Sequence, residues 1–214
     1  MSDSTMAAFV DLRSVGYRAL ICVLLFGLGL FSFGDHFYHV RNHVVSYNVG
    51  PFVDGQSMLV WLIFVAAAAL IYVVTYAFAR DATPPSLSLL LWQFVLMHAG
   101  YLSSGIWGIS HSTELTLGLA AVWVVRIAFT SQYRGKIVAI SLLLAVLGAV
   151  GEGIVSMSGF FDYAPTLKQI VGVPYWLICL YLNGGPLAFT AARWVRTGVF
   201  SHANPAGLTH KKQV

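Results

Sequence analysis

Residues 59–79, from Leu59 to Ala79, read LVWLIFVAAAALIYVVTYAFA, with no charge and no helix breaker. Crossing the hydrocarbon core of a bilayer takes about 20 apolar helical residues at a rise of about 1.5 Å each. Lipid cannot satisfy a free backbone N–H or C=O, so such a run is read as a helix. A membrane β-barrel strand would alternate polar and apolar residues over about 10 positions, and this stretch does not.

Working outward, five more segments have the same character. The six spans are placed near 15–34, 57–79, 85–107, 113–130, 136–157 and 174–195. The first could be a secretory leader, since Arg13 and Arg18 precede it. No Ala-x-Ala-type cleavage site follows, so it is expected to stay as a membrane helix. Of the 214 residues, 58% are hydrophobic and only 9% are charged, too few to clothe a water-soluble surface. That excludes a soluble enzyme, a nucleic-acid-binding domain and a disordered chain. Cys22 and Cys179 lie inside apolar runs and form neither a disulfide framework nor a CxxC metal signature.

The net charge of +4 is explained by orientation rather than by an anionic partner. Ten basic residues fall on one side of the six spans: Arg13, Arg18, Arg80, Arg126, Arg134, Lys136, Arg193, Arg196, Lys211 and Lys212. Only Arg41 and Lys168 fall on the other. The positive-inside rule then puts both termini in the cytoplasm. Thr83-Pro84-Pro85 marks a break followed by a helix start. The longer connections, about 35–56 and 158–173, are both non-cytoplasmic and aromatic, and are expected to lie against the membrane interface. The chain is read as one six-helix bundle over 1–214.

Lipid tails are as apolar as leucine, so helix association needs close packing or polar contacts. Small residues recur at helical spacing: Gly184, Ala188 and Ala192 in the sixth span, and Gly148 and Ser156 around Glu152 in the fifth. Gln93, His98, Gly100, Tyr101, Ser104 and Gly105 share a face of the third. These faces either pack helices or line a cavity. Glu152 lies well inside the fifth span, where an acid must face the interior and find a partner or a proton. His98, Gln93, Tyr101 and Asn183 are the candidate partners. A helix-locking hydrogen bond, a contact to a polar head group and a proton relay all remain open. Asn183-Gly184-Gly185-Pro186 is expected to interrupt the sixth span with a kink and free carbonyls. Asp35, His36, His39 and His43 form a separate cluster. If helical, Asp35, His39 and His43 share a face with metal-ligand spacing. Seven histidines in all, two of them (His202, His210) in the opposite-side tail, and no Glu-x-x-His favour interfacial histidines without metal.

Three stretches, in order and spacing over residues 57–196, resemble the insulin-induced gene (Insig) family. Glu114-Leu115-Thr116-Leu117-Gly118-Leu119-Ala120-Ala121 is similar to that family's Gln-Leu-Ser-Leu-Thr-Leu-Ala-Ala. Ser158-Gly159-Phe160-Phe161-Asp162-Tyr163 resembles Asn-Gly-Val-Tyr-Gln-Tyr. Trp176-Leu177, then Asn183-Gly184-Gly185, then Ala192-Arg193, resemble Trp-Leu, Ser-Gly-Gly and Gly-Arg. The resemblance implies a distant, bacterial homologue with a six-helix membrane fold that binds an oxysterol or related lipid. In animals such proteins hold the sterol-sensing protein Scap and HMG-CoA reductase in the endoplasmic reticulum. The family's partner-binding Asp falls at Gly108 here, so a Scap-type partner is not carried over.

The expectation is therefore an all-α polytopic membrane protein without catalysis, cofactor or metal. It would sit in a bacterial plasma membrane, or in the endoplasmic reticulum of a eukaryote. It would bind a sterol, diacylglycerol or similar amphiphile through Gln93, His98, Tyr101, Glu152, Asn183 and Gly184. Small-residue faces would support a homo-oligomer, and no nucleic acid is expected as a partner. Two rivals are a membrane metalloenzyme built on Asp35, His36, His39 and His43, and a small proton-coupled transporter using Glu152 and the sixth span.

Overall fold

The computed structural model describes residues 16–80 and 82–197. Arg13, Lys211, Lys212, His202 and His210, used above, lie outside the described residues. Six long helices are seen: α1 (Gly16–Val40), α2 (Met58–Phe78), α3 (Leu87–Trp107), α4 (Ser112–Ala128), α5 (Arg134–Met157) and α6 (Tyr175–Thr197). α3 starts where Thr83-Pro84-Pro85 implied, with the Ser86 hydroxyl accepting the Leu89 N–H at 3.2 Å as an N-cap.

α1 departs from expectation. The connection expected from residue 35 begins only after Val40, because the helix continues through Asp35, His36 and His39. Two stretches, Leu25–Ser32 and Asp35–Val40, take the wider π-helical turn. The Ser32 hydroxyl donates to the Gly27 carbonyl at 2.8 Å, five residues back, which is the π spacing. The polar residues at this end can stay helical because the following loop and α3 supply their partners.

α6 is the central helix and packs against α2, α3, α4 and α5. Its small residues allow this. A Cβ on Gly185 would sit 2.1 Å from the Ser141 hydroxyl oxygen of α5, so only glycine permits that approach. The interruption expected at Pro186 does not occur: α6 runs helical through it, enclosed by neighbours. Four helices, α1, α2, α3 and α5, are long and apolar enough to cross a membrane. α4 has 17 residues, about 25 Å of helix, the short end of a span. α6 is more polar because its neighbours are helices, not lipid; it buries Asn183, Thr190 and Arg193. Leu62, Leu70, Val73, Leu91, Val124 and Val146 face outward as an apolar belt. The fold is that of an all-α polytopic membrane protein.

The loops contain structure that the apolar pattern did not signal. β1 (Val45–Tyr47) pairs antiparallel with β4 (Phe161–Tyr163), with Val45 opposite Tyr163. β2 (Phe52–Val53) and β3 (Gln56–Ser57) form a tight hairpin. Asp54 and Gly55 turn it at φ of 45° and 81°, the positive values that a type I′ turn demands. The β1–β4 pair ties the C-terminal ends of α1 and α5 together. At the other end, Arg18 Nη1 donates to the Trp194 carbonyl at 3.1 Å and Arg196 Nη1 to the Tyr76 carbonyl at 3.2 Å. The start of α1 thus lies beside the ends of α2 and α6.

Candidate functional site

α2 and α5 touch each other little, and a cavity of about 280 Å3 lies between them, backed by α1 and α6. One side is apolar: Ile63, Phe64, Ala67 and Ile71 from α2, and Leu144 and Leu147 from α5. Leu70 and Leu147 at its edge are 61% and 52% exposed, so it opens sideways toward the belt that faces lipid. Gly151 stands at this mouth, where an added Cβ would meet nothing within 4 Å.

The other end of the cavity is polar, and the loop strands build it. Glu152 of α5 is met by two phenols: Tyr181 of α6 donates to one carboxylate oxygen and Tyr163 of β4 to the other. Tyr181 reaches it because residue 148 is glycine; a Cβ there would lie 2.6 Å from the ring. Asp35 of α1 accepts from the Tyr47 hydroxyl of β1 at 2.7 Å and from Gln56 Nε2 of β3 at 2.7 Å. Trp61 Nε1 holds the Gln56 carbonyl at 2.8 Å. Burial first, and then the neighbouring carboxyls, push the Tyr47 and Tyr163 hydroxyls well above the ordinary tyrosine range, so both remain donors.

His39 lies one turn beyond Asp35, with Nδ1 3.7 Å from its carboxylate. Its Nε2 is 2.8 Å from the Ser104 hydroxyl, which places its own proton on the Tyr101 carbonyl. Nε2 is therefore the donor in that pair. Tyr101 stacks on His39 at 5.1 Å, and packs against Gly34, where a Cβ would come within 2.9 Å of its ring. Tyr101 is 5% exposed and lines the cavity, and its hydroxyl has no hydrogen-bond partner among the described residues. Two acids, one histidine and four tyrosines thus meet at this end, and among the described residues no Lys or Arg lines the cavity.

The structure separates the sequence candidates. Tyr101 and Glu152 line the cavity together. Gly184 lines a separate, smaller hollow of about 20 Å3 that shares Tyr181 with the cavity. His98 lies in an aromatic seam between α1 and α3, 4.8 Å from the Phe94 ring. Asn183 and Gln93 belong to another cluster: Arg126 of α4 donates through Nη1 to the Asn183 carbonyl at 3.0 Å and to its Oδ1 at 2.9 Å, and through Nη2 to Gln93 Oε1. Asn183 Nδ2 donates onward to Leu119 O at 2.8 Å and Cys179 O at 2.9 Å. The hydrogen-bond partners of Glu152 are therefore Tyr163 and Tyr181, not His98, Gln93, Tyr101 or Asn183. Arg126 was counted above only as an orientation charge, yet its guanidinium fastens three helices.

The Asp35–His43 cluster also divides. His36 faces Asp54 at 3.4 Å, while His43 lies past the end of α1 at a φ of 56°, so it does not share the face of Asp35 and His39. Among the described residues, no three His, Cys, Asp or Glu side chains gather as a metal site. Tyr181 had a legible signal, since it lies one helical turn before Gly184 and Gly185 on the small-residue face of α6. Tyr163 had one too, as the last residue of the 158–163 stretch quoted above.

No protein-family model and no curated protein matches the sequence. Two solved structures do match the fold. One is a mycobacterial Insig homologue, MvINS from Mycobacterium vanbaalenii: TM-score 0.72, 20% identity, covering 84% of this chain and 94% of that one. The other is a cross-linked trimer of a cysteine variant of MvINS, with the same TM-score and coverage at 21% identity. In fold, this chain is an Insig-like integral membrane protein.

Proposed function

We propose that this protein is a non-catalytic lipid sensor whose α2–α5 cavity admits one amphiphile from the side, with its polar head at the Tyr101–Glu152 end. The cavity carries this reading. Its 280 Å3 is at the lower end of the roughly 300–1,000 Å3 of small-molecule sites, and it combines apolar walls with a few convergent polar groups. A sterol or diacylglycerol presents the required outline, a hydroxyl on an apolar body. Because lipid tails are as comfortable in the bilayer as against leucine, the walls supply shape and little affinity. Affinity comes from the head, where a hydrogen bond to a charged group contributes about 1.5–3 kcal/mol.

All six helices cross the membrane in this reading. The excess of Lys and Arg at the loop ends opposite the β1–β4 pair puts both termini in the cytoplasm of a bacterial-type plasma membrane. Occupancy favours the packing in which α2 and α5 stand apart, and a partner reads that packing, a shift limited by the lipid's preference for one packing over the other. MvINS has been crystallised as a cross-linked trimer, and the small-residue faces here support a homo-oligomer.

Mass spectrometry of lipids retained through detergent purification tests the proposal, with Gly151→Phe as the control. A Cβ at Gly151 meets nothing within 4 Å, so a phenyl ring there is expected to obstruct the mouth. The expected result is stoichiometric lipid on the unaltered chain and at least tenfold less on Gly151→Phe. Equal lipid on both, or none on either, would refute it.

A further inference from the structure

Charge is the unexplained feature of the cavity. Asp35 and Glu152 both lie at its polar end, and the hydrogen bonds they receive come from neutral groups: Tyr47 and Gln56 for one, Tyr163 and Tyr181 for the other. Donors of this kind favour a carboxylate but supply no positive charge. Among the described residues, His39, 3.7 Å from Asp35, is the single basic side chain lining the space. Two carboxyls on a largely apolar cavity without a fixed counter-charge are costly. Independently of the acids, Tyr101 is a buried residue that lines the same space, and its hydroxyl lacks a protein partner among the described residues. A hydroxyl left open on a cavity wall offers a guest atom a hydrogen bond.

We propose that this end of the cavity selects its guest by charge, preferring a primary ammonium on an apolar body and rejecting phosphate and carboxylate heads. The inference rests on the lipid-cavity reading above and narrows it. An ammonium carries three donors and no acceptor. It can reach Glu152 and Asp35 from the cavity side and accept no bond itself, leaving the Tyr101 hydroxyl oxygen as its third acceptor. It meets the carboxylates with a full opposite charge, where a hydroxyl brings only a dipole. A carboxylate or phosphate brought to the same place faces two like charges with no Lys or Arg to answer it.

The test uses four lipids with the full-length protein in non-ionic detergent: octadecylamine, octadecanol, stearic acid and phosphatidylethanolamine. The last carries the ammonium beside a phosphate, so it separates a free amine from a phospholipid source. Native mass spectrometry gives each apparent Kd. The expected order is octadecylamine tightest by about tenfold, octadecanol next, and the two anion-bearing lipids weakest. Glu152→Gln should remove the amine's advantage over the alcohol. Tyr101→Phe takes away no protein hydrogen bond and should fold normally, while weakening amine and alcohol alike. Alcohol or acid binding as tightly as amine overturns charge selection while leaving the cavity reading intact. Phosphatidylethanolamine binding as tightly as octadecylamine overturns the rejection of phosphate. Binding of none of the four removes the cavity reading and this inference with it.

Discussion

Gly148 and Gly151 lie three residues apart on α5, both helical and both lining the cavity, and the same substitution should move stability in opposite directions at the two. Glycine inside a helix costs about 0.5–1 kcal/mol relative to alanine, so Gly→Ala starts with that gain at either site. At Gly151 the new Cβ meets nothing within 4 Å, and the gain should stand. At Gly148 it would come within 2.6–2.7 Å of three atoms of the Tyr181 ring. A ring cannot yield as the end of a flexible chain can, so it must move as a body. Overpacking of that kind costs about 1–3 kcal/mol. The movement also withdraws the Tyr181 hydroxyl from Glu152, a bond to a charged group worth about 1.5–3 kcal/mol. Gly148→Ala should lose about 2–5 kcal/mol and Gly151→Ala should gain about 0.5–1 kcal/mol. Equilibrium unfolding in mixed micelles, followed by tryptophan fluorescence, reads both. If Gly148→Ala proves as stable as Gly151→Ala, the placement of Tyr181 against α5 is wrong, and so is the account of how Glu152 is held.

Two other perturbations test different parts of the molecule. Arg126→Lys keeps the charge but cannot span Asn183 and Gln93 together, since an ammonium lacks the planar fork; it should cost about 1–3 kcal/mol in the same assay. An unchanged value would mean that the three-helix fastening contributes nothing. Ser46 and Asp162 are directly opposed in the β1–β4 pair. The double substitution Ser46→Cys and Asp162→Cys should form an intramolecular disulfide on mild oxidation, seen as a mobility shift that a reductant reverses. Failure to cross-link would sever the two loops that build the polar end.

The spans were legible because hydrophobic length is a local property. Leu59–Ala79 is helical in any bilayer whatever its neighbours, and α2 was placed within about a residue at each end. α1 was misjudged at its end because Asp35, His36 and His39 read as the start of an interfacial connection. The partners that keep them in a helix, Tyr47, Gln56, Asp54 and Ser104, come from residues 12 to 65 positions away. Pro186 was expected to interrupt α6 with a kink, yet the chain stays helical through it, enclosed by four other helices. The hairpin at Asp54-Gly55 carried a turn signal that two-residue strands made easy to overlook.

The candidate site divides along the same line. That an acid at position 152 must face inward follows from dielectric cost alone, and the sequence determined that much, together with the membrane setting. Which groups face it depends on side chains from α5, α6 and β4 converging, and on Gly148 letting one of them approach. Arg126 shows the same limit: an orientation rule reads its charge, while its bonds to Gln93 and Asn183 arise only once α3, α4 and α6 are packed. Apolar length is written residue by residue along the chain, whereas a polar cavity is a meeting of distant residues, and only the tertiary structure decides which of them meet.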